Sequence, residues 1–64
     1  MQTNYQTAKE VLKNTAVEAK NNSNDKPLIR MVINDTADSL TREFNLSDHR
    51  INLLHNYAAK LHPK

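Results

Sequence analysis

At 64 residues the chain has room for one small domain, and a domain of that size buries only about 60% of the surface its unfolded form exposes. It contains no Cys, which removes disulfides and thiolate metal sites and leaves helix packing or self-association to support a small core. The formal charge is +2, and no apolar run approaches the roughly 20 residues that a membrane span requires.

The distribution of charge says more than its sum. Residues 1–24 set Lys9, Lys13 and Lys20 against Glu10 and Glu18, a net of +1. Residues 25–48 set Lys26, Arg30 and Arg42 against Asp25, Asp35, Asp38, Glu43 and Asp48, a net of −2. Residues 49–64 carry Arg50, Lys60 and Lys64 with no acid, a net of +3, together with all three His. The basic character belongs to the last segment, which suggests an anionic partner. The opening MQTNYQTAKE has no charged region followed by an apolar one, so no signal peptide is expected, and cytoplasm is the expected location. Asn-x-Ser/Thr sequons at Asn21, Asn34 and Asn45 then read as incidental to an Asn-rich chain.

Zero Gly and two Pro favour helices over tight hairpins, which need residues tolerant of positive φ. Thr7-Ala8-Lys9-Glu10 has the form of a capping box, with Asn4 a competing start one turn earlier. Behind it Tyr5, Ala8, Leu12, Thr15, Ala16 and Ala19 share a helical face, and Val17 falls on the opposite side. That face is rich in Ala, so it permits close approach and buries little area. Asn21-Asn22-Ser23-Asn24-Asp25 interrupts the pattern with side chains that compete for backbone hydrogen bonds, and a loop is expected over 21–26.

Pro27 suits the first turn of a second helix. Read as one helix, 27–44 places Ile29, Val32, Ile33, Thr36, Ala37, Leu40 and Phe44 on one face, with Leu28 and Met31 outside it. Two other readings stay open: a new helix capped within Asn34-Asp35-Thr36, or a strand over Leu28–Ile33. The strand would suit a ribbon-helix-helix arrangement, although of its alternate residues Leu28, Arg30 and Val32 only Arg30 is polar. The third helix, near 47–62, has Ser47 as its N-cap, Asp48 at the positive end of its dipole, and Leu46 with Ile51 spaced as a hydrophobic staple. Ile51, Leu54, Ala58 and Leu61 form its inner stripe, flanked by Leu53 and Tyr57. His49, Asn52, Asn56, Ala59 and Lys60 lie opposite, with His55 and His62 along one border and Pro63 marking the end. The expectation is an all-α domain, a small three-helix bundle with helices near 5–20, 27–44 and 47–62, associated as a homodimer.

Catalysis finds little support in these residues. Ser47, Asp48 and His49 are consecutive, and helical neighbours one apart do not face each other as a catalytic triad requires. A chain this small also lacks a sizeable concave pocket, so neither an enzyme activity nor a small-molecule substrate is expected. His55 and His62 stand two helical turns apart, about 10 Å, and His49 and His55 fall on different faces, so no metal or other cofactor is expected.

Two short amphipathic runs meet at Asn45-Leu46-Ser47, within LTREFNLSDHRINLL, Leu40 to Leu54. From Ala37 to Asn56 the chain resembles the helix-turn-helix unit of bacterial and phage regulators, which is apolar at the positions of Leu40, Phe44, Leu46, Ile51 and Leu54. The family prefers a small residue at Thr41, Gly at Asn45 and a polar, DNA-facing residue at Leu53; Asn is the next-best residue for a left-handed turn. The resemblance implies that the helix after Ser47 enters the major groove. Ser47, Asp48, His49, Asn52 and Asn56 would then sit near base edges, with Arg50 nearby. Together with Lys60 on the same helix, the candidate DNA-binding set is Ser47, His49, Arg50, Asn52, Asn56 and Lys60. A second expectation is a protein-interaction surface of Leu28, Met31, Leu53 and Tyr57, apolar side chains beyond what a three-helix core needs. The expected function is regulation by macromolecular binding, with DNA the leading partner and a bound or inhibited protein the alternative.

Overall fold

The computed structural model describes residues 3–63 and contains three helices in the order α1 (Asn4–Asn22), α2 (Lys26–Glu43) and α3 (Asp48–Leu61). Each helix packs against both others, and no strand occurs among the described residues. The protein is an all-α three-helix bundle.

Each helix starts where a side chain can satisfy its orphan N–H groups. At α1 the cap is Thr3, whose Oγ1 accepts from the Gln6 N–H at 3.1 Å while Gln6 Oε1 accepts from the Thr3 N–H at 3.0 Å. This closes a capping box one turn before the Thr7–Glu10 box expected from the sequence, and it corrects that expectation. The earlier start brings Tyr5 into the helix, where it packs against the core. Thr7 becomes an interior residue, and its hydroxyl donates to the Thr3 carbonyl at 3.2 Å. At α2 the cap is Asp25, whose Oδ1 accepts from the Leu28 N–H at 3.2 Å, and Pro27 occupies the first turn. The connection between α1 and α2 spans only residues 23–25, because α1 continues through Asn21 and Asn22.

Segment 26–43 is one helix, so neither a strand at Leu28–Ile33 nor a fresh start at Asn34-Asp35-Thr36 occurs. Asn34 and Asp35 fall on exposed positions, where poor helix formers cost tenths of a kcal/mol, about 0.5 each. The buried run Ile29, Ile33, Ala37, Leu40 and Thr41 on the other face outweighs that cost.

The turn from α2 to α3 follows from residues 40–47. Asn45 has φ 51°, the one positive φ among the described residues. Its N–H donates to the Arg42 carbonyl at 3.2 Å, and the Leu46 N–H donates to the Thr41 carbonyl at 3.0 Å. Those two bonds define a Schellman motif with Asn in the place Gly usually takes. Ser47 then caps α3, its Oγ accepting from the Arg50 N–H at 3.4 Å. Leu46 packs against the core and Ile51 is half-buried, consistent with the staple spacing.

The core is built from Ala8, Leu12 and Ala16 of α1, Ile29, Ile33, Ala37 and Leu40 of α2, and Leu54 and Ala58 of α3. Four of the nine are Ala, which let the helices close on each other without filling much volume. Thr41 is the buried polar residue, and its hydroxyl donates to the Asp38 carbonyl at 2.6 Å. No buried side-chain polar atom among the described residues lacks a partner, as a stable small core requires.

Candidate functional site

His49, Asn52, Asn56 and Lys60 follow at steps of three and four along α3, and all four are exposed. They form the outer face of the helix, opposite buried Leu54 and Ala58. Past Asp48 in the first turn, α3 carries no acid, and its cations are Arg50 and Lys60. Ser47 stands exposed at the head of this face, with its hydroxyl engaged in the cap. Arg50 leaves the face for the side of α1, its guanidinium carbon 5.1 Å from the centroid of the Tyr5 ring. Of the six residues expected to meet DNA, four share one surface, Ser47 borders it, and Arg50 lies at an edge.

The four residues expected to form an apolar surface do not lie together. Leu28 and Met31 on α2 are 43% and 54% exposed, whereas Leu53 and Tyr57 on α3 are half-buried. Tyr57 packs against the core at the seam of α1 and α3, and the Lys9 ammonium sits 4.7 Å from its ring centroid. Leu28 instead lines a groove at the seam of α1 and α2, with Thr15 and Ala19 on one side and Ile29 and Val32 on the other. Val11, 41% exposed on α1, is an apolar surface residue that sequence reasoning passed over. Its spacing of four from Thr15 was the available signal.

His62 is half-buried and closes a contact invisible in the sequence. Its Nε2 lies 2.9 Å from Asn34 Oδ1, which ties the end of α3 to the middle of α2 across 28 positions. Among the described residues, no three His, Asp or Glu side chains gather closely enough to hold a metal ion. None of the helices there is long and apolar enough to cross a membrane. The resemblance to helix-turn-helix regulators meets one further departure: α2 runs 18 residues without a break, longer than the first helix of that motif.

Comparison with protein families, characterised proteins and solved structures finds no match to this chain.

Proposed function

We propose that this is a non-enzymatic regulatory protein that acts by macromolecular binding and engages DNA through the outer face of α3. The observation that carries the reading is the exposed row His49, Asn52, Asn56 and Lys60, free of acid beyond the first turn of the helix. Asn can bond an adenine edge in two places, and Lys neutralises phosphate at a distance. Asp48 sits at the head of the helix, where it complements the dipole rather than the row itself. If the protein acts as the homodimer expected for so small a core, two α3 helices would address half-sites about 34 Å apart, one turn of the duplex.

The test is the salt dependence of binding to a labelled heterologous duplex, followed by fluorescence anisotropy. Binding at micromolar protein and low salt is expected, weakening with salt at a log–log slope of about −2, as for two phosphate contacts. Lys60→Ala should flatten that slope by about 1, while Asn52→Ala should leave it unchanged and relax base preference. Absence of any anisotropy change at low salt would overturn the proposal.

The alternative reading, capture of a protein partner, is favoured by a separate observation, the exposure of Met31 and of Leu28, the second of which lines an apolar groove between α1 and α2.

A further inference from the structure

The lysines of α1, Lys9, Lys13 and Lys20, follow at steps of four and seven and so share one flank of that helix. On α3, Arg50, Tyr57 and Lys60 share a flank by steps of seven and three. Two contacts set these flanks against each other. The Lys9 ammonium lies 4.7 Å from the centroid of the Tyr57 ring, and the Arg50 guanidinium carbon lies 5.1 Å from that of Tyr5. An open groove of about 430 Å³ follows the same seam, lined by Gln6, Lys9, Glu10, Lys13 and Tyr57. We propose that this seam is a phosphate-binding surface that holds the backbone of a nucleic acid without regard to its sequence. The proposal rests on the reading that the partner is DNA, and adds α1 to the contact.

Charge is sorted across the bundle in a way that favours an anion here. Lys9, Lys13, Lys20, Arg50 and Lys60 are five of the nine Lys and Arg of the chain, and Glu10 is the acid among them. The other acid of α1, Glu18, lines the groove against α2 instead. Asp48 stands two residues before Arg50, a spacing that turns it to another side of α3. None of the five cations is held in an ion pair among the described residues, whereas Arg42 of α2 is paired with Asp38 at 3.0 Å.

The tyrosines prepare the site rather than occupy it. Both are half-buried, and each places a cation over its ring within the distance at which the ring quadrupole attracts it. Lys9 and Arg50 are thereby held at the seam before any ligand arrives, which lowers the entropy lost on binding. Because Tyr57 already lies under Lys9, the groove offers ammonium and amide groups rather than a free apolar anchor. Protein partners are captured chiefly through buried aromatic or apolar anchors, whereas a phosphate chain asks for cations in a row. Lys60 belongs both to this flank and to the outer row of α3, so a backbone lying in the seam would lead directly onto that row.

The experiment measures salt-dependent anisotropy of the full chain with two labelled duplexes of unrelated sequence. Phosphate contacts by α3 alone account for a log–log slope of about −2; contacts by Lys9 and Lys13 as well should steepen it to about −4. The double variant Lys9→Ala, Lys13→Ala should return the slope to about −2 and weaken both duplexes alike. Lys26→Ala with Arg30→Ala removes the same charge from exposed positions of α2 and should leave the slope unchanged. Circular dichroism verifies that both variants keep their helices, and amide shifts at Lys9 and Lys13 of the unaltered chain report the contact without any substitution. Binding that the seam variant leaves unaltered, or that the α2 variant reduces equally, would overturn the seam and leave the reading for α3 standing. Loss of slope in the seam variant with no effect of Asn52→Ala on base preference would support the seam and overturn base reading by α3. Absence of binding to either duplex at low salt would overturn both. So would displacement of the duplex by polyglutamate as effectively as by an oligonucleotide of equal charge, since the occupant would then be an acidic protein surface.

Discussion

Leu54→Ala is expected to lower stability by about 3–5 kcal/mol, the range found when a buried leucine leaves a cavity that its neighbours only partly close. Leu54 is 0% exposed and is the largest fully buried side chain that α3 contributes. A domain of this length holds a total of about 3–10 kcal/mol, so the substitution removes a large share of it. The expected drop in melting temperature is about 15 °C or more, with much of the chain unfolded at 37 °C. Leu53→Ala provides the control, because it makes the same chemical change one position away on a half-buried residue. Its cost should stay near 1 kcal/mol. Thermal and urea melts followed at 222 nm measure both, and losses of equal size would show that α3 is not anchored through Leu54.

Ala37→Leu has the next largest expected effect and tests the opposite fault. Ala37 is 0% exposed on α2, one turn from Ile33 and three residues before Leu40. Ala and Leu are both strong helix formers, so intrinsic propensity hardly distinguishes them. The added atoms must find room between helices that Ala holds close, which costs about 1–3 kcal/mol in displaced side chains and backbone. Ala59→Leu, on the exposed side of α3, should change stability by less than about 0.5 kcal/mol. A neutral Ala37→Leu would mean that the four core alanines are incidental rather than spacers.

The parts of this fold that were legible in the sequence are those decided within a few residues. Ser47 as a cap and Asn45 in a left-handed turn depend on bonds reaching three to five positions, and both occur as the local chemistry requires. The start of α1 was harder, because Thr3 with Gln6 and Thr7 with Glu10 both have the spacing of a capping box. Local chemistry does not rank them, and the earlier box has the advantage that Tyr5 then packs against the core. The continuous α2 likewise depends on which side of the helix faces the core, since Asn34 and Asp35 are tolerable only when turned outward. The candidate sites divide in the same way. The outer row of α3 could be drawn from periodicity alone. The placement of Arg50 beside Tyr5, 45 positions away, could not, nor could the separation of Leu28 from Tyr57 by α1. Such contacts are set when the helices assemble, and no spacing within one helix announces them.

The two connections have a consequence for kinetics. Three residues join α1 to α2 and four join α2 to α3, so successive helices meet after closing very short loops. Loop closure contributes little to the barrier when the ends are already near each other. Docking of α1 against α3 is the one step that joins distant parts of the chain, and α2 has by then brought them together. Helical bundles with such local topology fold within microseconds to a few milliseconds. Temperature-jump relaxation should show a single phase in that window, and a main phase slower than about 10 ms would contradict this account. A chain that collapses so quickly leaves the apolar faces of its three helices exposed only briefly, which shortens the time in which they can associate wrongly with one another or with other chains.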